Sequence, residues 1–208
     1  MLLDSTEIEI VKNARESGIR NPMRSRIHFE RIINRFFASY DFSNKAVLDI
    51  GPGHYDFCEL ARNKGAIPFA IELDDAVIEL GKYKKIEVVK GNLSDVNVFE
   101  EFKGKIDLLF CRGSINCCWF SNEKEQQNYI QSMLKVLKPN GSAWISPCNE
   151  PINSDANKDS LKAQLQTFKE NGFYTLKSHK LQAYWYGIWS DNPKLIYTKN
   201  LRYHKLPW

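Results

Sequence analysis

The sequence predicts an α/β fold built on a doubly wound, mostly parallel sheet, and three observations carry that expectation. Strand-like and helix-like segments alternate from residue 46 onward, the pattern of parallel strands joined by crossover helices. The first strand runs straight into a glycine turn and then a helix, as VLDIGPGHYDF over residues 47–57. A chain of 208 residues, 43% hydrophobic and 26% charged, has the make-up of one ordinary globular core rather than of a disordered chain.

The elements follow in order. AVLDI (46–50) is a buried strand by composition, and DFCELARNKG places Phe57, Leu60 and Ala61 at helical spacing before Gly65 stops the helix. AIPFAIEL (66–73) is the second strand, DDAVIELGK a short helix, IEVVKGN (86–92) the third strand and SDVNVFEEFKG a further helix. KIDLLFC (105–111) is a buried strand, and Ile130, Met133, Leu134 and Leu137 mark one face of a helix that ends at the stop signal KPNG. GSAWISP (141–147) is the fifth strand, NKDSLKAQLQTFKENG a helix, GFYTLKSHK a strand and PKLIYTKNL the final strand. The aromatic segment LQAYWYGIWSDN between the last two is not placed by its pattern. No repeat, low-complexity tract or linker divides residues 46–208, so they read as one domain, with residues 1–45 as a helical amino-terminal segment. There Phe29, Ile32, Ile33, Phe36 and Tyr40 fall on one helical face and Arg24, His28, Arg31 and Arg35 on the other.

Composition narrows the partners. The formal charge of +4 permits an anionic ligand but lacks the strong basic bias of a dedicated nucleic-acid binder. Asp4, Glu7 and Glu9 break the basic-then-apolar order of a secretory signal, and no apolar run approaches the roughly 20 residues that span a bilayer, so a cytoplasmic protein without a membrane partner is expected. The five cysteines are odd in number and form no C-x-x-C pair. They are expected as reduced thiols, and Cys117 and Cys118 lack the companions of a metal site.

The glycine turn is where chemistry is expected. Glycine lets the backbone turn sharply and a ligand approach closely, and in open α/β sheets ligands bind at the carboxyl ends of the strands. Glu72 lies about 20 residues beyond the turn at the end of the second strand, where a carboxylate takes ribose hydroxyls. A dinucleotide site wants a small residue where Asp56 stands, and a carboxylate there repels a pyrophosphate. A ligand that carries positive charge and no phosphate suits Asp49 better.

VLDIGPGHYDF resembles the first motif of the class I S-adenosylmethionine-dependent methyltransferases. The likeness extends in order through AIELD (70–74), KGNLSD (90–95), KIDLLFCRGS (105–114) and LKPNGSAWIS (137–146), covering roughly residues 46–200. The resemblance implies a Rossmann-like seven-stranded sheet with an antiparallel last strand, supplied by PKLIYTKNL, and an amino-terminal helix that folds over the site as a lid. It implies S-adenosyl-L-methionine as cofactor, with Asp49, Gly51 and Gly53 around its methionine portion, Glu72 on the ribose, and Leu73, Asn92 and Leu93 beside the adenine. Cys111 and Arg112, at the end of the fourth strand, would flank the sulfonium and ammonium end. Two positions depart from the pattern: Tyr55 replaces the third glycine, its ring either closing the site or touching substrate, and Asn92 stands where the family often has Asp.

Methyl transfer from a sulfonium relies mainly on positioning, and a base is needed chiefly for a hydroxyl acceptor. The base candidates are His28 on the polar helix face, His54 in the turn, and Glu150, which follows the fifth strand beside Asn149; each also reads as an ordinary surface or hydrogen-bonded residue. His179 and His204 have no motif context. The tetrapeptide N/D-P-P-Y/F of enzymes that methylate DNA amino groups or protein glutamine is absent, with CRGS in its place. For the acceptor, Arg24 and Arg31 suit a phosphate or carboxylate unless their stripe is a solvated face. Tyr55, Asn116, Trp119, Tyr184 and Trp185 are further candidates, core packing being the alternative for the aromatics. The expectation is a methyltransferase acting on oxygen or nitrogen of a small molecule, such as a sugar or a phosphorylated metabolite. The alternatives are an RNA methyltransferase, a non-catalytic S-adenosylmethionine binder and, more distantly, a nicotinamide oxidoreductase.

Overall fold

The computed structural model describes residues 5–14, 22–92, 95–112, 123–146, 170, 174–175, 177–182, 185–191 and 194–195. The chain divides into two compact units, Met1–Asn92 and Leu93–Trp208.

In the first unit, helices α1 (Ser5–Ala14) and α2 (Pro22–Phe36) precede β1 (Ala46–Ile50), α3 (Asp56–Arg62), β2 (Ile67–Glu72), α4 (Asp75–Tyr83) and β3 (Glu87–Lys90). The three strands run parallel, β2 lying between β1 and β3, with Ile50 opposite Ile71 and Glu72 opposite Lys90. Four of the five β1 residues are buried, which the apolar run of AVLDI requires. Helices α3 and α4 pack on β2, and the amino-terminal helices pack on those in turn, α1 on α4 and α2 on α3. Phe29, Ile32 and Ile33 of α2 are buried, as the periodicity predicts. The helix ends at Phe36, and Phe37 turns into the core, its ring 5.8 Å from those of both Phe42 and Phe57.

A group of ion pairs fastens these four helices. Lys84, only 5% exposed along its side chain, holds Glu7 of α1 at 2.9 Å and Glu59 of α3 at 2.8 Å. Burial works against the charged ammonium, but the two carboxylates outweigh it and Lys84 titrates above its ordinary value. Glu59 also meets Arg26 of α2 at 3.3 Å, and Arg62 donates to the Lys84 carbonyl at 2.7 Å.

The second unit opens with a 3-10 helix (Val96–Phe102), whose first turn is capped by Asp95 accepting from the Asn97 N–H at 3.0 Å. The sequence predicts a helix here, and the tighter winding puts Phe99 and Phe102, three residues apart, together in the interior. Then come β4 (Ile106–Arg112), α5 (Glu123–Leu134), β5 (Leu137–Ser146), β6 (Tyr174–Thr175), β7 (Lys177–Gln182), β8 (Trp185–Asp191) and β9 (Lys194–Leu195). β4 and β5 are parallel, and the opposed Phe110 and Trp144 stack with ring centroids 4.8 Å apart. The 3-10 helix and α5 meet through Phe99 and Tyr129, 5.3 Å between centroids.

Three expectations change. Helix α5 stops at Leu134, short of KPNG, because the Gly104 N–H bonds to the Lys135 carbonyl and the Ile106 N–H to the Val136 carbonyl. Those bonds draw the following residues into the sheet, and Leu137 starts β5 opposite Ile106. The strand antiparallel to β5 is β8, from the aromatic segment that periodicity did not place, while PKLIYTKNL contributes the short β9 among the described residues. In place of seven strands, the described residues form nine, three in the first unit and six in the second. The helix expected within NKDSLKAQLQTFKENG lies, apart from Glu170, outside the described residues. No helix among the described residues is long and apolar enough to cross a membrane.

Gly81 on α4 tests this packing. An added Cβ there would lie 2.5 Å from the Tyr55 hydroxyl and 2.6 Å from Val88 Cγ2, whereas helix propensity alone favours Ala over Gly by roughly 1 kcal/mol. Gly81→Ala is expected to lower the unfolding free energy by about 1–3 kcal/mol in urea denaturation. A gain in stability would show that the ring moves aside freely.

Candidate functional site

The residues expected to hold a cofactor in the first unit gather at the carboxyl ends of β1, β2 and β3, because parallel strands present all their carboxyl ends on one side. Leaving β1, the chain enters the left-handed region three times in five residues, at Gly51 (φ 66°), Gly53 (φ 57°) and Tyr55 (φ 62°). The Gly51 N–H bonds to the Ile71 carbonyl at 3.0 Å, pinning the turn to β2, and the Tyr55 N–H bonds back to the Pro52 carbonyl at 3.0 Å. A Cβ added at Gly53 would meet nothing within 4 Å. The glycine is therefore set by backbone geometry, and the space beside it is open.

Tyr55 is the unexpected member. Its ring does not face a ligand: the residue is 0% exposed, packed with Cys58, Ala70, Val77, Leu80 and Ile86, and its hydroxyl donates to the Val77 carbonyl at 2.9 Å. The reading of Tyr55 as a residue that touches substrate is therefore corrected. A left-handed conformation costs a residue with a Cβ roughly 1–2 kcal/mol, and burial of the ring with its hydroxyl bonded offsets it. Burial, with Glu72 nearby, pushes the phenol well above its ordinary range, so it remains a donor.

Asp49, 2% exposed, lies just before the turn, and its Oδ2 accepts from the Cys58 thiol at 3.5 Å. Burial and then the Asp49 carboxylate push the Cys58 thiol well up, which keeps its proton in place. Glu72 closes β2. Its Oε1 accepts the N–H groups of Leu73 at 2.7 Å and Asp74 at 3.1 Å. Burial raises the Glu72 carboxyl while those two N–H groups draw it back down. Leu73 beside it is 52% exposed, an apolar side chain held out at the strand end. Asp74 then caps α4, accepting from the Ala76 N–H at 2.9 Å and the Val77 N–H at 3.1 Å. Asn92 follows β3 and is exposed.

In the second unit, Cys111 is buried and Arg112 half-buried, both at the carboxyl end of β4. Of the base candidates, His54 is buried within the turn. His28 lies in α2 by its backbone, as does Arg24, but both side chains are outside the described residues. Arg31 is half-buried and Arg35 exposed. Leu93, Asn116, Trp119, Glu150 and Tyr184 lie outside the described residues, and Trp185 is described only as backbone in β8.

Several contributors are not singled out by the sequence: Arg26, Cys58, Asp74 and Val77. Arg26 approaches Asp56 at 3.9 Å while also reaching Glu30 and Glu59. Its signal was present, since helical spacing from Arg26 to Glu30 marks an i,i+4 pair, but its link to α3 needs the tertiary fold. Asp56, 6% exposed, is pushed up to about 7, chiefly by burial, with Arg26 and Lys84 opposing.

These features define a class: an open α/β protein with a glycine turn after its first strand and acids at the carboxyl ends of its first two strands, where such sheets bind ligands. Residues 41–200 match the family model described as a methyltransferase domain, and the chain belongs to that family, whose cofactor is S-adenosylmethionine. The chain is 29% identical over 128 residues to EEF1A lysine methyltransferase 2 of Danio rerio, an alignment that spans 57% of this chain and 54% of that protein. The chain thus matches about half the length of that curated relative. Among solved structures, the PH0226 protein of Pyrococcus horikoshii OT3 superposes with a TM-score of 0.61 at 16% identity, covering 85% of this chain and 94% of that one. Magnesium protoporphyrin IX methyltransferase of Synechocystis PCC 6803, solved with bound SAM, gives a TM-score of 0.60 at 12% identity over 90% of this chain and 92% of that one. Both likenesses show the Rossmann-like α/β fold.

Asp56 generates a pH prediction. A carboxyl that titrates at about 7 when folded and at 3.8 ordinarily binds more protons in the folded state throughout that window. Its contribution to stability therefore falls as pH rises from about 4 towards 7, then levels off. Asp56→Asn is expected to be more stable than the wild type at pH 8 and to match it near pH 3.5, in urea denaturation across that range. Equal pH slopes for the two proteins would overturn the assignment.

Proposed function

We propose that this chain transfers a methyl group from S-adenosylmethionine to an oxygen or nitrogen of a small-molecule acceptor, with sugars and phosphorylated or otherwise anionic metabolites as the leading class. The observation that carries the cofactor half is the left-handed turn of Gly51 and Gly53 with Asp49 and Glu72 at neighbouring strand ends. When bound, the cofactor supplies a methyl group on a sulfonium, an already activated leaving group.

In this reading each residue has a plain physical task. Gly53, with open space where a side chain would stand, lets the backbone lie against the methionine portion beside Gly51. Asp49 balances the ligand's positive charge. Glu72 takes the ribose hydroxyls through Oε2, since both of its described bonds fall on Oε1. The exposed Leu73 and Asn92 border the adenine, and the resemblance alone assigns Leu93 to the adenine and Cys111 and Arg112 to the sulfonium and ammonium end. Holding acceptor and methyl donor in line supplies most of the rate, because orientation alone can be worth about 7–11 kcal/mol of barrier. A hydroxyl acceptor would draw on His28, His54 or Glu150 as base, and an amine presented as a free base would need none. Arg24, Arg31, Asn116, Trp119, Tyr184 and Trp185 are assigned to the acceptor side, with the helices of residues 1–45 as its lid.

A protein lysine acceptor is the second reading, favoured by the likeness to a lysine methyltransferase. Incubation with methyl-labelled cofactor and cell extract separates the two: label in the small-molecule fraction supports the first, and label in protein the second. Calorimetry with S-adenosylhomocysteine tests the site itself. Asp49→Ala and Glu72→Ala are each expected to weaken binding about tenfold or more, equivalent to roughly 1.4 kcal/mol, with the fold retained. Wild-type affinity in both variants would sink the assignment.

A further inference from the structure

The geometry points to Tyr55 as a positioning residue of the cofactor site: it ties the glycine turn to α4 and, through the cap of that helix, to the Glu72 carboxylate. The inference rests on the reading of Gly51, Gly53 and Glu72 as cofactor-binding residues and adds a residue that touches no ligand.

A continuous run of hydrogen bonds carries it. The Tyr55 hydroxyl donates to the Val77 carbonyl at 2.9 Å. The N–H of that same Val77 donates to Asp74 Oδ1 at 3.1 Å, the Asp74 N–H donates to Glu72 Oε1 at 3.1 Å, and the Leu73 N–H donates to the same oxygen at 2.7 Å. One end of the run is the last left-handed residue of the turn, and the other is the carboxylate assigned to the ribose. The Gly51 N–H already ties the start of the turn to β2 through the Ile71 carbonyl; the Tyr55 run is a second tie, from the end of the turn to the loop that follows Glu72.

Gly81 shows that Tyr55 is built in rather than merely tolerated. The ring occupies the place where any Cβ at Gly81 would stand, with 2.5 Å to the hydroxyl oxygen and 2.6 Å to Cζ. Glycine has in effect moved from position 55 of the turn to the helix that receives the ring. A glycine at 55 would satisfy φ 62° yet leave the turn without a side chain in the interior. Tyrosine gives up that ease of backbone and gains an anchor in α4.

The test is a double-mutant cycle on binding of S-adenosylhomocysteine, read by calorimetry on the full chain at a temperature where melting curves show every variant folded. Tyr55→Phe keeps the ring and removes only the link to Val77, and it is expected to raise Kd three- to tenfold. Glu72→Gln is expected to raise it more. If Tyr55 acts through Glu72, Tyr55→Phe has little further effect in the Glu72→Gln background, so the double variant binds like Glu72→Gln alone. A purely structural role predicts independent effects that multiply, and that result overturns the inference, as does wild-type affinity in Tyr55→Phe. Should Tyr55→Phe fail to fold, Asp74→Ala breaks the same run at the helix cap. It is expected to give the same rise in Kd and the same loss of effect beside Glu72→Gln; unchanged affinity there overturns the link. Wild-type affinity in Glu72→Gln and Asp49→Ala removes the site reading itself, whereas weakened binding in those two with an unaffected Tyr55→Phe removes only the role of Tyr55.

Discussion

A backbone that enters the left-handed region at residues 51, 53 and 55 has to be held there from outside, since local preference for such a path is weak even where glycine removes the steric penalty. In this protein the restraint comes from the interior. The turn is pinned to β2 by the Gly51 N–H and to α4 by the Tyr55 hydroxyl, while the β1–β2 pairing sets Asp49 beside Ala70, two residues before Glu72. The cost of placing a side chain in a left-handed conformation is met by burying an aromatic ring, whose transfer from water is worth several times a single hydrogen bond. The open space beside Gly53 and the filled space beneath Tyr55 are two sides of one arrangement.

The charges of the first unit are organised around the same helices. Lys84 joins Glu7 and Glu59, and Arg26 joins Glu59 to Asp56 and Glu30, so four helices meet in a partly buried set of alternating charges. Such pairs add less stability than their distances suggest, because desolvation opposes the attraction; breaking one side costs more, since it strands a buried charge. Their effect here is selective. They specify which face of α1 meets α4 and which face of α2 meets α3, a choice that apolar periodicity leaves open. Asp56 is the member least well compensated, and burial raises its carboxyl towards neutrality.

The strands of the first unit and its helices α2, α3 and α4 were legible because each carries its own signal, whereas α1 was not placed individually. AVLDI, apolar but for Asp49, became β1 over the same residues, and DDAVIELGK, read as a short helix, became α4 with Asp74 as its cap. The second unit was legible in part. Leu137 lies at helical spacing from Leu134 and Met133, but pairing of the Lys135 and Val136 carbonyls with the start of β4 draws it into a strand. The aromatic segment became β8, the reversed neighbour of β5. Periodicity could not place it, since a stretch crowded with large apolar and aromatic residues has neither a period of two nor of 3.6.

The sequence by itself determined the alternation of elements, the glycine turn after the first strand, and the two acids at the carboxyl ends of the first two strands. These are local facts, written in short runs whose propensities agree with the fold. Only the tertiary structure decided what Tyr55 does. Whether a tyrosine in a turn points to ligand or to core depends on whether another element leaves room for its ring, and that room is made by a glycine 26 positions later, on a helix whose approach no local pattern records. The same holds for Arg26 and Lys84: their charge is visible in the chain, but their partners are set by which helices pack together.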